Sequence, residues 1–407
     1  MRTGLVILAL VLQAHSLQAA DAGLLDAAKR GEMQAVRGLL AAKANVNEPR
    51  PDGTTPLAYA AYRDDLDMTT ALLAAGADPN LANDYGVTPL TLACTNRSTA
   101  MVEKLLKAKA NPNRAQWSGE TPLMTCAGNG SLEAVRLLLA AGANPNVAET
   151  ENGQTPLMWA AAAKQPAIVK LLVDKKADVN ARSKVLDEPE PFIIPTNSVF
   201  GSNFPKTIHF PKSSGGFTPL MFAAQQGDAE SAKILLDAGA RINDKTEEEG
   251  SALVIATASG HEDFAIMLLE RGADPKIVDG YGLTPLHYTL HEGLLNLMGA
   301  KPTPTDKLGW TRANMPRLMR SLLAHGADPN ARIAANWPTL DHPFLGRNTE
   351  DAPQLEPVGA TPFLLAAASG DVTAMRILVE GRADPRATTA GGASAWLIAA
   401  GMGAERG

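Results

Sequence analysis

Residues 121–146 read TPLMTCAGNGSLEAVRLLLAAGANPN, and the fold turns on this stretch. Thr121 suits a helix N-cap, where a hydroxyl accepts from the orphan N–H groups of the first turn. Pro122 then occupies the first helical position, where its missing N–H costs no intrahelical bond and its φ is already helical. Leu123, Cys126 and Ala127 form a short apolar face. Gly130-Ser131 reads as a turn, and Val135 to Leu139 as a second apolar helix. Gly142 stands where that helix needs a left-handed stop. Ala143-Asn144-Pro145-Asn146 leads out of it, so the unit is helix, turn, helix, extended turn.

The unit recurs. Thr-Pro-Leu stands at 55–57, 88–90, 121–123, 155–157, 218–220 and 284–286, with Thr-Pro-Phe at 361–363, Ser-Ala-Leu at 251–253 and Ser-Ala-Trp at 394–396. Successive intervals are 33, 33, 34, 63, 33, 33, 77 and 33 residues, and the two long ones exceed a period by 30 and 44. Self-similarity at this period is the mark of a stacked repeat array. Two short helices cannot hide enough apolar surface alone, so each unit depends on its neighbours. Residues 24–47 hold two apolar stretches without the motif, which suits an N-terminal cap.

With its Thr-Pro-Leu motifs, Gly260-His261 and the stretch Leu322-Leu323-Ala324-His325-Gly326-Ala327-Asp328-Pro329-Asn330, the chain resembles the ankyrin repeat family across about residues 24–401, in a bacterial-type exported form. The resemblance implies an all-α ankyrin solenoid of about nine repeats and a terminal half repeat, with three loop insertions. The expected layout is a signal peptide over 1–20 and repeats 1–5 over 21–183. An inserted finger loop follows at 184–213, then repeats 6–8 (first part) at 214–292. An insertion at 293–313 within repeat 8, the end of that repeat at 314–332, a second finger loop at 333–357, and repeat 9 with the half repeat at 358–401 complete it. One departure stands out: Lys109, Lys176 and Arg382 replace the Gly that stops the second helix at 76, 142, 239, 272 and 326. Those three positions are expected to bear a small left-handed penalty or to adjust the turn.

By the same resemblance, partner contacts are expected three and four residues before each motif Thr, directly before it, and seven or eight residues after it. Here these positions hold Tyr62, Arg63, Tyr85, Asn96, Trp117, Asn129, Phe217, Gln225, Gln226 and Tyr281. The insertions add Phe200, Phe204, His209 and Phe210 in the first finger and Trp337 and Phe344 in the second. Four of the chain's nine Phe residues fall within 184–213, although aromatics make up only 5% of the chain. Long ordered loops are uncommon unless functional. These rings either line a recognition surface or pack back onto the repeats.

Composition narrows the function. Hydrophobic residues are 45% and charged residues 20%, ordinary for a globular protein. A net charge of −6 and no basic stripe argue against nucleic acid as partner. His287, three residues after Thr284, lies four before His291, a spacing open to a metal, but it also fits a structural histidine bonded to the turn. His261 and His325 read as structural too. No nucleophile elbow, phosphate loop or dinucleotide fingerprint occurs. The expected function is therefore non-catalytic: a scaffold that binds a protein partner, with no cofactor and no metal. A small-molecule scaffold is the alternative, and an enzyme with its site in the insertions the weaker one.

Three expectations concern the chain's surroundings and its end. Met1-Arg2, the apolar run Gly4 to Leu12 and small Ala19-Ala20 follow the order of a secretory signal peptide, so the protein is expected to be periplasmic or secreted. No apolar run is long enough for a membrane span. Cys94 and Cys126 lie on first helices of adjacent repeats, and a helix spacing of about 8–10 Å against the Cα limit of about 7 Å for a disulfide predicts two free thiols. Trp396 is expected to pack back on repeat nine, giving a monomer, with weak end-to-end dimerisation as the alternative.

Overall fold

The structure is a computed structural model that describes residues 23–187, 192–194, 206–208, 213–297, 314–334 and 358–400. It forms two compact units, divided between Ala181 and Arg182. The first unit begins with α1 (23–30) and α2 (Met33–Ala41). It continues through the pairs α3 (Pro56–Tyr62) and α4 (Leu66–Ala74), α5 (Pro89–Thr95) and α6 (Thr99–Lys107), α7 (Pro122–Gly128) and α8 (Leu132–Ala140), and α9 (Pro156–Ala162) and α10 (Pro166–Asp174). First helices stack as α3 on α5 on α7 on α9, and second helices as α6 on α8 on α10. The seams are closed by Leu57, Leu90, Leu123 and Leu157 from first helices and by Met68, Leu72, Met101, Leu105, Val135 and Leu138 from second ones, all buried.

The second unit contains α11 (Pro219–Gln226), α12 (Ala229–Asp237), α13 (Ala252–Ala258), α14 (Glu262–Glu270), α15 (Pro285–Tyr288), α16 (His291–Leu297), α17 (Pro316–Ala324), α18 (Pro362–Ala368), α19 (Val372–Glu380) and α20 (Ala395–Ala399). Here α15 is short, and helical structure resumes in α16 as far as Leu297, five residues into the segment expected as an insertion. α16 packs on α18. At the crossing Gly293 is essential, because a Cβ there would run into the Leu365 carbonyl. Between 185 and 215 the described residues form two separate two-stranded antiparallel sheets. β1 (Val185–Asp187) pairs with β4 (Ser213–Gly215), and β2 (Phe192–Ile194) pairs with β3 (Lys206–Ile208).

The predicted caps form. The motif hydroxyls of Thr55, Thr88, Thr121, Thr155, Thr218, Ser251, Thr284 and Ser394 each accept from the N–H three residues on. Thr361 is the exception, with a buried hydroxyl that makes no cap bond. A second device joins each repeat to the next. The Asn80 side-chain amide donates to Lys109 O at 3.2 Å while its oxygen accepts from Asn111 N at 2.7 Å. Asn47, Asn113, Asn146, Asn243 and Asn330 bridge in the same way to Gly76, Gly142, Lys176, Gly272 and Arg382. Each such amide satisfies an orphan carbonyl at a helix C-terminus.

Lys109, Lys176 and Arg382 adopt φ of 69°, 65° and 70°, so they take the left-handed stop rather than adjust it. The reason is room: a Cβ built on Gly142 meets no atom within 4 Å. Gly86, at φ 77° in the turn before α5, is different, since its Cβ would lie 2.9 Å from Gln116 Cα of the next turn.

Two expectations fail. Cys94 and Cys126 form a disulfide, with Cα atoms 4.8 Å apart, and no free cysteine remains. An interaxial spacing overstates the separation of facing residues, because each Cα sits about 2.3 Å off its helix axis toward the neighbour. Trp396 does not pack back either; it is 71% exposed, and Ile398 is instead the buried side chain of α20.

Two measurements follow from this packing. Thiol titration in denaturant should find no free thiol before reduction and two after it. Removing the bridge, whose cysteines are 32 residues apart, should lower stability by about 3–4 kcal/mol. Urea melts should show Gly142→Ala costing about 1 kcal/mol, the left-handed penalty alone, and Gly86→Ala costing at least about 3 kcal/mol because backbone must move.

Candidate interaction surface

In the first unit the turns that precede the first helices are built around an acceptor side chain. Asn83 Oδ1 accepts from the N–H groups of Tyr85 at 3.1 Å and Val87 at 2.9 Å. Glu149 does the same with more bonds, accepting from Glu151, Asn152 and Gln154 N–H groups at 2.7–3.0 Å while buried. A buried carboxylate is tolerable when its lone pairs are this fully used. Neighbouring turns are then joined through backbone: Asp84 N donates to Asp52 O at 2.9 Å, Trp117 N to Tyr85 O at 3.2 Å, and Thr150 N to Ser118 O at 2.6 Å. Both ends of each rung are thus set by the turn and by its neighbour.

Tyr85 and Trp117 sit on one of these rungs. Their ring centroids are 5.4 Å apart with planes tilted by 47°, and they are 61% and 71% exposed. Tyr62, at the end of α3, is 66% exposed. Arg63 follows it, with its guanidinium over Gly31 and an N–H donated to Lys29 O at 3.5 Å. The carboxylates of Asp52, Asp84 and Glu151 on the same turns are exposed. The Thr54 N–H donates to Asp52 and holds its carboxyl below the ordinary range.

Asn96 and Asn129 lie beside this surface, but their amides are engaged. Asn96 donates to the carbonyls of Ala61 and Tyr62, both at 2.9 Å, and Asn129 to that of Cys94 at 3.3 Å. They complete the C-terminal turns of the preceding first helices. Sequence position alone does not distinguish this from a partner contact.

In the second unit Phe217 is half-buried against Phe222, with centroids 5.4 Å apart. Gln225 is exposed and Gln226 half-buried. Tyr281 is half-buried and donates its hydroxyl to Glu248 at 3.0 Å; burial and that carboxylate push the phenol well up. Asp279 accepts from Tyr288 OH at 2.6 Å and from two N–H groups, yet burial still raises its carboxyl. Phe200, Phe204, His209, Phe210, Trp337 and Phe344 lie outside the described residues. A position the sequence reading passed over lies four residues after the motif Thr: it holds Tyr59, Leu92 and Trp159 in the first unit and Phe222 in the second, all half-buried on first helices. Its signal was the constant offset from the motif. Trp159 lies against Gly128, where a Cβ would come within 2.9 Å of the indole.

His261, His287 and His325 have structural roles. His261 Nε2 lies 3.1 Å from Gln225 O, and His325 Nδ1 2.8 Å from Ser321 O. His287 is fully buried, and its Nδ1 accepts from Thr284 N at 3.1 Å, which places the neutral ring's proton on Nε2. Burial lowers its pKa to about 4. In three other repeats a methionine does this work: Thr121, Thr155 and Thr218 N–H groups donate to Sδ of Met124, Met158 and Met221, each at 3.4 Å. Among the described residues, no group of three or more His, Cys, Asp or Glu side chains is arranged to hold a metal ion. No helix of the described residues is long and apolar enough to cross a membrane.

The model of the family described as ankyrin repeats (3 copies) matches residues 24–116, 102–183, 203–279 and 220–306. Human ankyrin repeat and KH domain-containing protein 1 is 32% identical over 136 residues, covering 33% of this chain and 4% of that protein. Ankyrin repeat and SAM domain-containing protein 6 of Danio rerio is 30% identical over 177 residues, covering 40% of this chain and 21% of that protein. This chain therefore spans less than a quarter of either relative. Among solved structures, the human ASB11 ankyrin repeat domain aligns with a TM-score of 0.47 at 26% identity, covering 60% of this chain and 96% of that one.

His287 supplies a pH test. Its folded pKa is about 4, below the unfolded value of about 6.5, so the unfolded chain binds the extra proton between them. Its neutral ring therefore favours folding fully above about pH 6.5, and this is lost as pH falls toward 4, by up to about 3 kcal/mol. His287→Met should keep the cap through sulfur and flatten that part of the stability profile. Urea melts of both proteins across this range measure the difference.

Proposed function

The chain belongs to the ankyrin repeat family, and from that premise we propose that it is a non-catalytic scaffold that binds a protein partner through its finger turns, the ends of its first helices and the aromatic segments 184–213 and 333–357. Proteins of this family generally mediate protein–protein interaction. The observation that carries the reading is the Tyr85–Trp117 pair: two large rings, mostly in water, on turns whose backbones are bonded to each other. Burying such rings is a large part of interface energy. A rigid turn also loses little freedom on binding.

The scaffold acts outside the cytoplasm, periplasmic or secreted, as a monomer or a weak end-to-end dimer. The order of residues 1–20 and the Cys94–Cys126 disulfide support export, because such bonds persist in oxidising compartments. Cell fractionation and N-terminal sequencing of the mature protein test this part, with Asp21 as the expected first residue. Recovery of the uncleaved chain in the cytoplasm would refute it.

Affinity purification with mass spectrometry tests the recognition reading. The combined Tyr62→Ala, Tyr85→Ala and Trp117→Ala variant should keep its circular dichroism and melt while losing about tenfold or more of its affinity for the captured partner. Deleting 186–212 should likewise leave the melt nearly unchanged and abolish capture. Unaltered capture by both variants would sink the proposal.

A further inference from the structure

Partner chemistry is written on the turns of the first unit. The segments 48–54, 81–87, 114–120 and 148–154 carry six carboxylates against two guanidinium groups. Three of the carboxylates are taken up locally: Glu149 by its own turn, Glu48 by Asn45 at 2.9 Å, and Glu120 by the Thr125 hydroxyl at 2.7 Å. Asp52, although it accepts from the Thr54 N–H, is exposed, as are Asp84 and Glu151, on the turns that carry and flank Tyr85 and Trp117.

We propose that this ridge docks a segment of the protein partner bearing several arginines or lysines, with one cation over the Tyr85 and Trp117 rings and others met along the turns by Asp52, Asp84 and Glu151. The proposal rests on the recognition reading above and adds the partner's charge to it. An apolar partner would bury the rings but strip water from three carboxylates with nothing in return. An acidic partner would meet like charge. A cationic side chain satisfies both features, because indole and phenol faces attract cations and guanidinium above all. Complementary charge also steers encounter and sets salt dependence.

The test uses the full chain and two fluorescein-labelled peptides of one length, Gly-Ser-Arg-Gly-Arg-Ser-Gly and its counterpart with Glu for Arg. Fluorescence anisotropy should show the arginine peptide bound at least about tenfold more tightly, and weakening as salt screens the exposed charges. Trp117→Ala should weaken it about tenfold with the melt unchanged. The double variant Asp52→Lys, Asp84→Lys should shift preference toward the glutamate peptide. Equal binding of the two peptides overturns the inference, as does arginine-peptide binding indifferent to Trp117→Ala. Binding through Trp117 to immobilised glycans but to neither peptide also overturns it. If neither peptide binds while the aromatic triple variant still loses its captured partner, the recognition reading stands and only the cationic segment falls.

Discussion

At six joints among the described residues the side-chain amide of an asparagine holds the repeats in register. Asn80 reaches Lys109 O with its nitrogen and receives Asn111 N on its oxygen, so a single planar group fixes a carbonyl and an N–H of one turn of the next repeat at once. Apolar burial supplies the attraction between helix layers but is indifferent to small slips along the stack. The amide is not, since a slip would leave a donor and an acceptor unpaired at a helix end. The turns that precede the first helices inherit that register. Their rungs, such as Trp117 N to Tyr85 O, form because the repeats are already aligned. The pattern lapses at Lys276 and Arg386, which stand where other repeats have the asparagine.

What a sequence discloses here depends on whether a feature is local. Thr-Pro-Leu specifies a cap, a first helical residue and an apolar anchor within three positions, and the helices start where it says. The left-handed Lys109 was legible for the same reason, being a stop at a fixed offset. Distances between repeats were less so. The cysteine pair was misjudged because helix spacing was taken between axes, whereas the residues face inward from both. Trp396 was misjudged because Ile398, two positions on, takes the buried place.

The surface divides the same way. Tyr62, Tyr85 and Trp117, expected from position, are exposed, whereas Asn96 and Asn129, expected on the same ground, spend their amides on neighbouring carbonyls. Nothing in either residue's own sequence surroundings separates those outcomes. The methionines at 124, 158 and 221 carry no polar signal in the sequence, yet each thioether accepts the N–H that an imidazole nitrogen accepts in His287's repeat. Sulfur is a weak acceptor, but it does not titrate. Repeats using it keep their cap through the acid range where His287 would charge.

The disulfide and the exposed rings belong to the same two repeats. Tyr85 lies in the turn leading into α5 and Trp117 in the turn leading into α7, and Cys94 and Cys126 join those helices in the buried interior. One joint is therefore closed three times: by the Asn80 amide between the loops, by the Trp117–Tyr85 rung between the turns, and by a covalent bond between the helices. Two rings that shifted independently would have to be ordered when a partner arrives, at a cost in free energy for each immobilised side chain. Here the backbone beneath them is ordered before encounter. The strongest joint of the first unit thus lies beneath the side chains with the most to lose from movement.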